Sequence, residues 1–131
     1  MGGMEKILVV EDEQFLGRMY EKKFVNLGYS VKLAVNGEEG VRFMTDYKPD
    51  IVLLDLKMPV LDGYGFLEKV RANQELKHIP IIVITNLSQP EDKAKLMKNG
   101  VADYFEKTAT TPKELAEKIR YILDEQKKHL A

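Results

Sequence analysis

Three unbroken apolar runs dominate the pattern of this chain: Ile7-Leu8-Val9-Val10 after Lys6, Ile51-Val52-Leu53-Leu54, and Ile81-Ile82-Val83-Ile84. Each has strand length and is rich in β-branched residues. A run with no polar alternation suits a strand covered on both faces, as in the middle of a parallel sheet. Ser30 to Val35 reads differently, because Val31, Leu33 and Val35 alternate with Lys32 and Ala34. One of its faces should meet water, which predicts an edge strand. Ala102-Asp103-Tyr104-Phe105-Glu106 is short and mixed and predicts the opposite edge.

Helical spacing fills the gaps. Leu16, Tyr20, Phe24 and Leu27 lie on one face of a helix predicted from Glu13 to Leu27, with Gly28 as its stop. Asn36 is a good N-cap for a second helix reaching Tyr47. A third runs from Tyr64 to Asn73. The fourth opens with the capping box Ser88-Gln89-Pro90-Glu91 and stops at Asn99-Gly100. The fifth opens with a second capping box, Thr111-Pro112-Lys113-Glu114, and buries Leu115, Ile119, Ile122 and Leu123.

Strand and helix alternate five times without a low-complexity linker. Right-handed crossovers then give an α/β, doubly wound, five-stranded parallel sheet. With the second and fifth strands at the edges, the order is 2-1-3-4-5, and the switch point lies between the first and third strands. The 131 residues are read as one domain with a core of about 5–124. Met1 and Met4 are both candidate starts, and the sequence leaves the origin of Met1-Gly2-Gly3 open.

Composition narrows the function. A net charge of -1 gives no reason to expect direct nucleic-acid binding. With no cysteine there is no disulfide framework or thiolate metal site, which agrees with a cytoplasmic location. No apolar stretch is long enough to span a membrane, and no signal region opens the chain.

The chemistry sits where strands end. Glu11 and Asp12 follow the first run, Asp55 the third, Thr85 the fourth, and Lys107 the fifth. In an open α/β sheet this edge is where ligands bind. Carboxylates gathered there repel unless a cation joins them. Mg²⁺, or Mn²⁺, is the simplest partner, helped by Lys107. Asp55 is then the candidate nucleophile, Asp12 the direct metal ligand, and Glu11 a ligand through water. Each residue alone has a plainer reading: a strand-end polar group, an acidic helix start for Glu11-Asp12-Glu13, a solvated lysine. Their common edge argues for chemistry.

Taken together, Val9-Val10-Glu11-Asp12-Glu13, Leu54-Asp55-Leu56-Lys57-Met58-Pro59 with Asp62-Gly63, Ile84-Thr85 and Tyr104-Phe105-Glu106-Lys107 resemble the receiver domain of two-component response regulators, of the single-domain, chemotaxis-regulator-like kind. The resemblance spans about Lys6 to Leu123. It implies a flavodoxin-like (βα)5 fold and a phosphoacceptor role for Asp55. Glu11, Asp12, Asp55 and the Lys57 carbonyl would bind Mg²⁺, and Thr85 and Lys107 would contact the phosphoryl group. Thr85 and Tyr104 would be the switch residues, acting on the surface of helix 4, strand 5 and helix 5. The implied donor is a histidine kinase or a histidine phosphotransfer protein, and the downstream protein target is unspecified. The domain would assist only its own phosphorylation and dephosphorylation and so is not an enzyme in the usual sense.

Two residues depart from the family pattern. Thr108 follows Lys107 where proline after a cis bond is usual, and the loop to the fifth helix is about a residue longer. A cis bond before a residue other than proline costs about 3 kcal/mol, so the 107–108 peptide is expected to be trans. Asn86 follows Thr85 where a smaller residue is usual, which narrows the approach to the phosphoryl group.

Rival readings fit less well. An FMN site would need a Ser/Thr/Gly-rich loop after the first strand, and Glu11-Asp12-Glu13 repels phosphate. An aspartate-nucleophile phosphatase would need an aspartate at position 57, which is lysine. A pseudo-receiver, binding partners without phosphorylation, is the remaining alternative; the complete set of site residues argues against it.

Overall fold

A computed structural model of the chain describes residues 4–86 and 90–130. The capping box expected at Ser88-Gln89 lies outside the described residues, as does Met1-Gly2-Gly3. Five βα units follow one another: β1 (Lys6–Val10), α1 (Gln14–Asn26), β2 (Ser30–Ala34), α2 (Gly37–Asp46), β3 (Ile51–Asp55), α3 (Gly63–Arg71), β4 (Ile81–Thr85), α4 (Pro90–Lys98), β5 (Asp103–Glu106) and α5 (Pro112–Leu130). The sheet order is β2-β1-β3-β4-β5, with every pairing parallel. This is the doubly wound arrangement that the apolar runs imply.

The unbroken runs are buried on both faces, and the pleat divides them between two cores. Leu8, Val10, Val52, Leu54, Ile81 and Val83 face one side and pack with Met44, Phe66, Leu67 and Leu96. Ile7, Val9, Ile51, Leu53, Ile82 and Ile84 face the other and pack with Tyr20, Phe24, Leu115 and Ile119. With period 2, slipping a strand by one residue would exchange these sets. The register that places the site is therefore strongly specified.

Two expectations need correction. The edge strand β2 presents only part of its second face to water. Ala34 is fully buried in the core that includes Met44, and Lys32, though exposed, lays its ammonium over the Phe43 ring at 4.6 Å. Helix α2 packs over that face, which an alternating pattern alone does not reveal. Leu27 does not complete the buried stripe of α1; it is exposed, one residue past the helix. The chain turns there, through Gly28 at φ 98°, and Tyr29 takes the inward position.

The expected caps that fall on described residues form. Asn36 accepts from the Glu39 N–H at 2.8 Å. Thr111 Oγ1 accepts from the Glu114 N–H at 3.1 Å, while Glu114 Oε1 accepts from the Thr111 N–H at 3.3 Å. This reciprocal pair fixes the start of α5. Among the described residues no peptide bond is cis, so the Lys107–Thr108 bond is trans as expected. Further down α5, Arg120 grips the Glu5 carboxylate with both terminal nitrogens, at 2.7 and 2.9 Å, which ties the helix to the start of β1.

Candidate functional site

The ends of β1, β3 and β4 put three polar side chains into an otherwise apolar sheet edge. Glu11 is 2%, Asp55 3% and Thr85 1% exposed. Asp55 pairs in register with Ile84, and Thr85 with Glu106. Adjacent strands therefore deliver Asp55, Thr85 and Lys107 to one edge. Asp12, more accessible, completes the acidic group: Glu11, Asp12 and Asp55 each offer an oxygen, all within 4.8 Å of one another.

Lys107 answers this negative charge from β5. Its side chain is 10% exposed, and its Nζ lies 2.9 Å from Glu11 Oε1 and 3.1 Å from Asp55 Oδ2. One ammonium thus stands between two buried carboxylates. Glu11 Oε2 accepts from the Glu13 N–H at 3.2 Å, which holds the acidic loop in place. Glu11 Oε1 accepts no aligned hydrogen bond; its contact with Lys107 is an ion pair.

The balance of charge sets the titration of the site. Burial pushes the Glu11 carboxyl up to about 7; Lys107 pulls the other way, and the charge on Asp55 adds to the rise. Burial also raises Asp55, against the opposing charge of Lys107. For Lys107 burial acts downward, but its contacts with Glu11 and Asp55 outweigh it and the net shift is upward. One positive charge does not satisfy two desolvated carboxylates.

The loop after β3 shapes the entrance. A cleft of about 460 Å³ is lined by Asp12, Leu56, Lys57, Met58, Pro59, Asp62 and Tyr64. Asp62 caps α3 by accepting from the Gly65 N–H at 2.9 Å. Gly63 lets that turn lie on the strand end, since a Cβ there would stand 2.7 Å from Leu56 Cα and 2.8 Å from the Asp55 carbonyl oxygen. Lys57 lies at the cleft, its N–H 3.4 Å from Asp55 Oδ1.

The residues fit a divalent cation. Three carboxylates supply hard oxygen donors, one of them with an oxygen lacking an aligned donor, and the accessible side of Asp12 leaves room for retained waters. Tyr104 lies apart on β5, opposite Val83, half-buried against the core that contains Leu96. The structure thus gathers Glu11, Asp12, Asp55 and Lys107 directly, seats Thr85 and Lys57 beside them, and leaves Tyr104 on the neighbouring strand.

Sequence reasoning missed the setting of Tyr20. It is buried, and its hydroxyl is pushed up to about 12 by burial and by the nearby charge of Glu11. Helical spacing assigned it to the core stripe, and nothing local distinguishes a core tyrosine that underlies a charged site.

A family model described as "Response regulator receiver domain" matches residues 7–120. The chain belongs to this family. Among similar receiver-domain structures, a CheY-like protein from Methanospirillum hungatei superposes with a TM-score of 0.89 at 27% identity, covering 97% of this chain and 99% of that one. Chemotaxis protein CheY4 of Vibrio cholerae gives 0.84 at 27% identity, covering 91% and 98%. A curated relative, the "Probable transcriptional regulator ycf27" of Porphyridium aerugineum, is 40% identical over 119 residues, which are 91% of this chain and 48% of that protein. The chain spans about half the length of the curated relatives it matches. Receiver domains bind Mg²⁺ at an acidic pocket, and the cluster of Glu11, Asp12 and Asp55 is such a pocket by composition. No described helix is long and apolar enough to cross a membrane.

Proposed function

We propose that this receiver domain accepts a phosphoryl group on Asp55 from the phosphohistidine of a histidine kinase or a histidine phosphotransfer protein. The observation that carries this reading is the Lys107 ammonium held between Glu11 and Asp55 beside an acidic, metal-ready cleft. A carboxylate oxygen of Asp55 attacks phosphorus, and an acyl phosphate forms as the P–N bond to the donor imidazole breaks. The bond's electron pair leaves with the imidazole, which takes a proton from solvent. Positioning and charge stabilisation supply most of the catalysis in such a transfer.

Glu11, Asp12, Asp55 and the Lys57 carbonyl would hold Mg²⁺ or Mn²⁺, which would offset negative charge on the transferred group. Lys107 would pair with a phosphoryl oxygen once Asp55 is phosphorylated, and the Thr85 hydroxyl would donate to another. Movement of Thr85 would release Tyr104 to turn inward and remodel the surface of α4, β5 and α5. The domain turns over no separate substrate and works as a cytoplasmic signalling module.

The ycf27 relatives are named as probable transcriptional regulators, and this chain covers about half of each. We assign these 131 residues, of net charge -1, a protein target rather than direct contact with nucleic acid.

Intact-mass spectrometry after incubation with Mg²⁺ and a small acyl phosphate tests the assignment. The wild-type chain should gain one phosphoryl mass, and Asp55→Asn should gain none. A wild-type protein that folds, binds Mg²⁺ and gains nothing would be a phosphorylation-independent binding module instead.

A further inference from the structure

Helices α1 and α5 cover the same core, α1 through Tyr20 and Phe24 and α5 through Leu115 and Ile119. Between the last turn of α1 and the first turns of α5 lies a groove of about 550 Å³, larger than the cleft of about 460 Å³ at the acidic site. Its apolar part is made by Leu27, Tyr29 and Ala116. Tyr29 and Ala116 are buried, whereas Leu27, just past α1, is 52% exposed. A leucine that the helical stripe should have buried is thus left on the edge of an open groove.

One wall of the groove is held rigidly. Arg120 grips Glu5 with both terminal nitrogens, pairs with Asp124 at 2.9 Å and donates to the Tyr29 hydroxyl at 3.2 Å. Its charge is therefore already matched. Three charged side chains remain along the groove: Lys23, Lys113 and Glu117. Among the described residues neither lysine takes part in an ion pair. Lys113 stands one turn before Glu117, and that order makes only a weak pair on a helix.

The two lysines differ in what explains them locally. Lys23 is in the last turn of α1, where a cation complements the helix dipole. Lys113 is exposed in the first turn of α5, where a cation opposes it. The α5 helix gains nothing from Lys113, and the groove gains a second unmatched ammonium.

We propose that the groove between α1 and α5 docks an acidic amphipathic helix of a partner protein. The partner's apolar stripe covers Leu27, Tyr29 and Ala116, and its carboxylates pair with Lys23 and Lys113. A third helix laid on two others is ordinary helix packing, and an amphipathic helix in an apolar groove is a recurrent mode of recognition. A phosphate backbone would answer the two cations but leave the apolar floor uncovered. The fixed Arg120 wall lowers the cost of binding, because it is ordered beforehand. No residue of the groove belongs to the acidic site, so docking does not require phosphorylation of Asp55.

Fluorescence anisotropy with the full chain and a labelled peptide tests it. The probe is a helix of about four turns made of alanine, leucine and glutamate, with leucine at every third or fourth position and glutamate beside each. A second peptide carries lysine for every glutamate, and a third probe is a single-stranded oligonucleotide. The acidic peptide should bind and the other two should not. Lys23→Glu combined with Lys113→Glu should weaken binding about tenfold, and Leu27→Ser should weaken it as well. Lys23→Gln with Lys113→Gln should show a smaller loss, and it serves if the reversed variant folds poorly. Asp55→Asn should bind as wild type does. No binding at millimolar peptide, equal binding of the basic peptide or the oligonucleotide, or unchanged affinity in the groove variants would overturn the proposal. So would self-association of the chain without peptide that Leu27→Ser abolishes, which would assign the groove to a second copy. The phosphoacceptor reading is decided separately, by the mass gain on Asp55.

Discussion

The backbone N–H of Lys107 donates to the carbonyl of Thr85 at 2.9 Å, one residue past the last rung of the β4–β5 ladder. Two residues of the site, Thr85 and Lys107, are thereby fastened through their main chains. The reach of the Lys107 side chain to Glu11 and Asp55 is set by that bond and by the sheet register.

Lys107→Met tests what the ammonium holds together. The change keeps most of the side-chain volume and leaves two buried carboxylates without their cation. Breaking a buried ion pair in this way costs about 3 kcal/mol. Urea unfolding in EDTA should show a loss of that order, and Mg²⁺ should restore part of it. An unchanged midpoint would mean that the pair contributes nothing to the unliganded state.

Stability without metal should fall as pH rises from about 4.5 to about 7. The Glu11 carboxyl is raised by burial, so over this window the folded protein binds a proton that the unfolded chain has released. Asp55, also raised, acts in the same direction. The Glu11 contribution is on the order of 3 kcal/mol. Melting temperatures in EDTA should therefore decline across the window, and Glu11→Gln should flatten the decline. Mg²⁺ affinity should rise over the same range, because a protonated carboxyl is a poor ligand. A wild-type profile matching that of Glu11→Gln would contradict the shift.

Gly63→Ala should lose about 2 kcal/mol through overpacking. The new methyl would press on Leu56 Cα and the Asp55 carbonyl oxygen, and neither is a flexible side chain that can move aside. Phosphorylation of Asp55 should slow as well, since the backbone that aims its carboxylate must shift. Urea unfolding and the rate of mass gain measure the two effects.

Self-dephosphorylation should be slow. Hydrolysis needs a water in line with the phosphorus–Asp55 bond. Residues two beyond Asp55 and two beyond Thr85 are expected to flank that approach; the first is Lys57, which lies at the cleft, and the second is Leu87, which lies outside the described residues. Leucine cannot hold a water, Asn86 adds bulk, and Lys57 can shield the phosphoryl group. Decay in excess Mg²⁺ should quicken several-fold in Leu87→Glu and in Asn86→Ala. If neither variant decays faster, access of water does not control the lifetime.

Much of this protein is written locally. Three unbroken apolar runs declare three central strands, because only a strand covered on both faces can be apolar at every position. Asp55 and Thr85 were legible only in combination: each alone reads as an ordinary strand end, and the shared sheet edge with Glu11 and Asp12 points to chemistry. Caps such as Asn36 and Thr111 were legible because their partners lie three residues away. What escaped the sequence depends on neighbours far along the chain. Ala34 is buried because α2 lies over it, and Leu27 is exposed because the chain turns at Gly28 before the helical stripe can finish. Lys107 looks like any surface lysine until the register sets it between two carboxylates some 50 and 100 positions earlier. Arg71 looks like an ordinary basic residue in the last turn of a helix until folding brings four carbonyls within its reach. Periodicity records which way a residue faces; only the packed chain decides which group it meets there.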